Sequence, residues 1–288
     1  MIQSSSSETL LKERPAWGAR AVLEDTLAAV KPLQLYIHYC SEPSIETDWI
    51  DAPSLAMPTS APLADLMARF QSHGFAPSRR AAAASLLLRF GWAGGFAISS
   101  YLICGRVPNL QDYGLNFAPK TMLRGLWVRR AQFSCRPGDR LTAAPDWRES
   151  VDDETLRARL LESLIAFTEP VVESQHQWSR FSRHALWSMA TSSWAAQFSS
   201  VARQLGDVER GTREAQALFA LADAEIVRSA PELYEVREDQ MVCTCQKRAA
   251  CCLYFKSPGR NFCASCPILT KEDRLARNRS WVRAQKPV

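Results

Sequence analysis

The chain carries neither a GxGxxG turn nor a GxxxxGK[ST] loop, and its 12 glycines are scattered along 288 residues. Those loops cradle dinucleotides and nucleoside triphosphates on backbone amides, so neither a bound nicotinamide nor ATP chemistry is expected on these motifs. No Ser/His/Asp constellation, nucleic-acid motif or internal repeat is visible, and low complexity is confined to residues 4–7. Residues 1–8 lack both a basic stretch and an apolar core, which argues against a secretory signal. The most apolar run, residues 81–104, is interrupted by Arg89, Gly91, Gly94, Gly95, Ser99 and Ser100. It lacks the unbroken apolar span of a membrane helix and reads as a buried helix that the glycines break in two. These absences predict a cytosolic protein. Thiols stay reduced there, and clustered cysteines bind metal more often than they form disulfides.

What is present divides in two. Hydrophobic residues make up 47% of the chain, enough for a substantial core, and charged residues 23%. The net charge of +5 is unevenly spread: ten Lys and Arg residues follow position 240, against only Glu272 and Asp273. The predicted organisation is a body over residues 1–240 and a cysteine-rich lobe with a basic tail over 241–288.

The body reads as mainly α, within an α+β class, with a small antiparallel β element. Val22, Leu23, Leu27 and Val30 form one helical stripe, closed by Pro32. Residues 33–39 alternate like a strand, and the prolines of 41–62 predict an irregular connection. Leu63, Leu66, Met67 and Phe70 mark a second helix. Residues 107–114 read as a turn-rich link. Residues 126–133 predict a strand, paired with 115–117. Asp152, Asp153 and Glu154 suit a helix N-terminus. Pro170 predicts a kink or break in that helix, followed by a long segment to 205 and a last helix over 212–229. His176 and His184, eight apart near Trp178 and Trp187, are expected to make ordinary polar contacts between helices rather than to line a pocket. Trp187 and Trp194, at heptad spacing, predict core. His38 and His73 have no partner visible in sequence. Cys40, Cys104 and Cys135 also read as core.

Six of the nine cysteines lie at Cys243, Cys245, Cys251, Cys252, Cys263 and Cys266. Four thiols at short fixed spacing suit a soft metal centre: zinc, Cu(I) or an iron–sulfur cluster. Ser257-Pro258-Gly259 predicts a turn, and extended arms at 253–255 and 261–262 would return Cys263 beside Cys252. Cys263 and Cys266 then make a two-ligand knuckle. Zinc sites favour separated C-x2–4-C pairs. The side chains of adjacent Cys251 and Cys252 diverge, which suits two metal centres better than one. Geometry thus favours iron–sulfur over zinc without excluding zinc. Cys243 and Cys245 read as spare thiols in an approach segment.

Cys251-Cys252-x10-Cys263-x2-Cys266, followed by Pro267, resembles the C-terminal signature of the FhuF-type siderophore-iron reductases. Arg248 before the cysteine pair and Leu253-Tyr254 after it belong to the likeness; Cys243 and Cys245 lie outside it. More loosely, the helical body, the Leu186-Trp187 region and the turn after the buried helix are similar to the family's larger domain, and to part of the aerobactin-type siderophore synthetases. The resemblance implies a 2Fe–2S cluster on Cys251, Cys252, Cys263 and Cys266 in a compact lobe. It implies one-electron reduction of Fe(III) in a hydroxamate or hydroxycarboxylate siderophore, seated in a cleft between lobe and body. A separate donor such as a ferredoxin or an NAD(P)H-dependent reductase would supply electrons, in the cytoplasm or loosely associated with the inner membrane. Arg248, Lys256 and Arg260 are the candidate docking cations for substrate or donor. The competing reading is a non-enzymatic, zinc-stapled protein that binds a partner or nucleic acid through its basic face. A diverged siderophore synthetase ranks third, for want of an ATP-binding motif. No nucleic acid is expected.

Overall fold

The computed structural model describes residues 18–33, 37–43, 48–73, 78–239 and 241–284. The chain starts with α1 (Ala21–Val30), β1 (His38–Cys40), β2 (Trp49–Asp51), α2 (Ala52–Ala56) and α3 (Ala61–Ser72). A helical pair, α4 (Arg79–Ala93) and α5 (Gly95–Cys104), leads into three strands, β3 (Arg106–Phe117), β4 (Leu123–Cys135) and β5 (Trp147–Ser150). Four helices follow: α6 (Asp153–Ser179), α7 (Arg183–Gln204), α8 (Val208–Ala220) and α9 (Ala224–Ser229). A hairpin, β6 (Glu232–Glu238) and β7 (Met241–Lys247), precedes the cysteine segment, and α10 (Lys271–Arg283) closes the described chain. This is the expected α+β class. The division drawn at 240/241 falls at the turn between β6 and β7.

The apolar stretch from Arg79 to Cys104 is a core element, its most apolar window 83% buried. It breaks at Gly94, where an added Cβ would come within 2.9 Å of Leu164 and 3.2 Å of Trp194. α4 lies so close to α7 that a Cβ on Gly91 would sit 2.7 Å from that of Ser193. Trp187 and Trp194 are buried on α7 in an edge-on pair with centroids 6.1 Å apart, as core residues should be.

The β element is larger than expected. Residues 107–114, with their Pro, Asn, Asp and Gly, form most of β3, because the whole stretch pairs antiparallel with β4. A register shift between Leu110 and Asp112 absorbs the irregular residues. Of residues 115–117, only Leu115 opposes the predicted strand, at Leu126; Asn116 and Phe117 oppose Gly125 and Leu123, and the rest of 126–133 pairs with 108–114. β1 and β5 each pair with β4 in parallel, so the sheet is mixed. The 41–62 connection contains β2 and α2; Asp51 caps α2 by accepting from the Ser54 amide. Residues 34–36 of the predicted first strand lie outside the described residues, and its end forms β1.

Pro170 does not end its helix. It lies on the exposed face of α6, while Phe167, Val171 and Val172 continue the buried stripe. The break comes at Arg180, in the left-handed region at φ 56°, after which Ser182 caps α7 by accepting from the Ala185 amide. Asp223 similarly separates α8 from α9 within the single helix expected over 212–229. His184 bonds the Ser229 hydroxyl across α7 and α9, a contact between helices as expected, whereas His176 bonds the Phe181 carbonyl in the link that follows its own helix. His38 and His73 are exposed.

Candidate metal centre

Cys251 and Cys252 follow β7, and Cys263 and Cys266 precede α10. Ser257-Pro258-Gly259 turns the chain between them: the Arg260 amide donates to the Ser257 carbonyl at 3.1 Å, and Gly259 adopts φ +69°. That geometry, with the Arg260–Ser257 bond at 3.1 Å, suits Pro followed by Gly. The arms, however, are not extended. Leu253 takes a left-handed conformation, Tyr254–Lys256 form one 3-10 turn, and the Phe255 and Phe262 rings meet at 4.6 Å between centroids. Ring packing replaces the expected strand pairing.

The knuckle forms as anticipated, with the Cys266 amide donating to the Cys263 carbonyl at 3.0 Å. It is tied to the approach segment by the Arg248 amide, which donates to the Ser265 carbonyl at 3.0 Å. α7 holds the other side: the Ala250 amide donates to Ser188 Oγ at 2.9 Å, and Gln246 Nε2 to the Ser192 carbonyl at 3.1 Å. α10 clamps the whole. Arg274 donates to the carbonyls of Cys266 and Leu269, Arg277 to that of Phe262, and Asn278 to the Tyr234 hydroxyl on β6. The basic tail is thus a scaffold on one face, with Arg279 and Arg283 paired to Glu238. None of these partners on α7 or β6 stands out in the sequence.

Arg248 corrects an expectation. It is 5% exposed, so it is no surface docking residue. Its Nη2 donates to Cys263 Sγ and its Nη1 lies 3.8 Å from Met189 Sδ, while Nε is buried with no partner. Among the described residues no carboxylate forms an ion pair with it; the groups that meet its charge are Cys252, Cys263 and Cys266. Within the thiol pair, a hydrogen bond from Cys252, together with the Arg248 charge, pulls Cys263 down to about 5. Its partner Cys252 is pushed well up by that same bond and by burial. Burial raises Cys266, and the charges of Cys263 and Cys251 add to this. Cys252, Cys263 and Cys266 are thus linked electrostatically around Arg248. Among the described residues no set of three or more His, Cys, Asp or Glu side chains is arranged to hold a single metal ion.

A buried guanidinium without a carboxylate is costly unless an anion compensates it. A thiolate-bound cluster supplies that anion, so the residues present fit one.

Residues 248–267 match the family model of the FhuF 2Fe-2S C-terminal domain. No curated protein and no solved structure matches the chain. The match decides the choice left open between zinc and iron–sulfur: the C-terminal cysteine cluster belongs to a 2Fe–2S domain. Within the matched segment Lys256 and Arg260 are exposed, Arg260 lying over the Tyr254 ring at 5.4 Å. Cys243 and Cys245 lie outside it and are not spare thiols in a loose segment. They sit on β7, buried against Val236 and Val282. Burial raises both thiols, Cys245 to about 12, as for structural rather than reactive cysteines. Cys135 is fully buried, whereas Cys40 and Cys104 are half-buried at the edge of the core.

Proposed function

We propose that the protein is a cytosolic ferric-siderophore reductase. Cys251, Cys252, Cys263 and Cys266 hold a 2Fe–2S cluster that, when bound, supplies one electron at a time. The observation that carries the reading is the FhuF-type cysteine spacing built around a buried arginine that, among the described residues, has no carboxylate partner and donates to Cys263 Sγ.

The chemistry needs little else from the chain. Siderophores hold Fe(III) with hard oxygen donors, and the less charged, softer Fe(II) is held far more weakly. One electron gained by the chelated Fe(III) and one lost by the protein balance the step and leave a labile Fe(II) complex. No proton transfer and no nucleophile are required. Arg248 favours the more negative, reduced state by placing a fixed positive charge against Cys263. The Arg274 and Arg277 bonds to carbonyls around the knuckle hold its shape. Re-reduction falls to a ferredoxin or an NAD(P)H-dependent reductase, for which exposed Lys256 and Arg260 offer positive charge.

The test is direct. Purified protein should contain iron and acid-labile sulfide. Reduced anaerobically, it should be reoxidised by a ferric hydroxamate or hydroxycarboxylate siderophore, with Fe(II) appearing in a chelator trap. Reoxidation at the same rate without siderophore would refute the reading.

A further inference from the structure

A cavity of about 480 Å³ lies between α7, the β6–β7 hairpin and α10, within the size range of small-molecule sites. Its position is its most telling property. Ala264 and Ser265, the two residues between Cys263 and Cys266, form part of its wall. A molecule in this cavity therefore touches the peptide that carries two of the four sulfurs. The opposite wall is the helical body, through α7.

The lining is also selective. Among the described residues that form it there is no Asp or Glu, and Arg203 is the one charged side chain. The indoles of Trp92 and Trp281 contribute broad apolar surface, and Trp281 is 45% exposed. Asn278 and Ser265 add polar groups next to the knuckle, and Asn278 is fixed by its bonds to Tyr234 and Ala264. A guanidinium recognises carboxylates by paired charged hydrogen bonds, and the lining adds no carboxylate that would repel an anion.

We infer that this cavity seats an anionic ferric chelate of the hydroxycarboxylate class. Its carboxylate oxygens face Arg203, its carbon skeleton lies against the two indoles, and its metal is beside the Ala264-Ser265 peptide. This assignment rests on the reductase reading above and adds to it the place, the charge and the contacting residues of the substrate.

Gallium(III) has the charge of ferric iron and accepts no electron here, so binding can be measured apart from reduction. Gallium(III) citrate should bind the intact protein in isothermal titration calorimetry, with citrate alone as the control. The cationic gallium(III) complex of desferrioxamine B should bind more weakly. Ala196→Trp and Ser199→Trp, which fill the cavity from α7, should each abolish binding while visible absorbance shows the cluster retained. Arg203→Gln should weaken it by about tenfold, the loss of a charged hydrogen bond. Undiminished binding by both tryptophan variants, or tighter binding of the cationic complex, would overturn the assignment. If gallium citrate does not bind but ferric citrate still reoxidises the reduced protein, the cavity is wrong and the reductase stands. If it binds in the cavity and no ferric chelate is reduced, the cavity stands and the reductase falls.

Discussion

The guanidinium of Arg248 donates to the sulfur of Cys263, and the peptide amide of the same residue donates to the Ser265 carbonyl two residues further on. One residue thus supplies both charge and shape to the knuckle. Arg248→Met should lower the cluster's reduction potential by roughly 200 mV, the one-electron equivalent of about 4 kcal/mol for a unit charge about 4 Å away at an effective dielectric near 20. Arg248→Lys should recover part of that shift, because it keeps the charge but not the fork. Spectroelectrochemical titration measures both. A purely structural role would leave the potential of the assembled protein unchanged.

The ligand assignment separates two sets of cysteines. Serine at Cys251, Cys252, Cys263 or Cys266 should abolish or severely deplete the visible cluster spectrum and the iron content, since each supplies one coordination bond. Cys245→Ala should retain full iron, with a modest loss of thermal stability from its packed position on β7. Loss of cluster in Cys245→Ala together with retention in Cys251→Ser would reverse the assignment.

Charge reversal at Lys256 and Arg260 acts on the surface rather than on the cluster. Lys256→Glu with Arg260→Glu should slow electron transfer with anionic donors or chelates in stopped-flow bleaching. The deficit should shrink as salt rises and screens the exposed charges. A deficit independent of ionic strength would point to damage within the loop instead.

Beside Cys135, its cross-strand partner on β4, Arg106 joins β3 to Asp139 and Asp25 with bonds of 2.6 and 2.7 Å. Burial opposes the Asp139 charge, but the Arg106 bonds outweigh it and hold the carboxyl below its ordinary range. The folded state then binds fewer protons than the unfolded state. The stabilisation is complete above the ordinary carboxylate range and is lost as pH falls through the lowered folded value. Asp139→Asn should cost about 3 kcal/mol at neutral pH, as for one partner removed from a buried pair, and should flatten the acid limb of the stability curve. Urea unfolding across pH checks both.

The approach of α4 to α7 gives a packing test. Gly91→Ala places a methyl against Ser193 Cβ and the Ala190 carbonyl. It should destabilise by about 1–3 kcal/mol through overpacking, despite the better helix propensity of alanine. Chemical denaturation of the two proteins measures the difference.

Several features were legible because they depend on neighbours in the chain. The four cysteines, the Ser257-Pro258-Gly259 turn and the knuckle lie within a short segment whose spacing carries their chemistry. The apolar stripes of α1 and α3 report their buried faces by helical periodicity alone. Gly94, too, announces the break between α4 and α5.

Other features exist only through contacts distant in sequence. The first amides of α1 are capped by Asp146, whose carboxylate accepts from Val22 and Leu23 at 3.1 and 2.9 Å, and no local cap foretells it. β3 is a strand because β4 pairs along it, against the local preference of its Pro, Asn, Asp and Gly. Pro170 remains helical because it faces water. Arg248 reads in sequence as one cation in a basic tail; α7, β7 and the knuckle close around it and make it a buried charge held by sulfur. Cys243 and Cys245 belong to the core for the same reason, since the partners that bury them come from β6 and α10. Spacing along the chain determined which thiols could act together. The packing of α7, the hairpin and α10 decided what surrounds them, because burial and charge compensation depend on residues that spacing does not see.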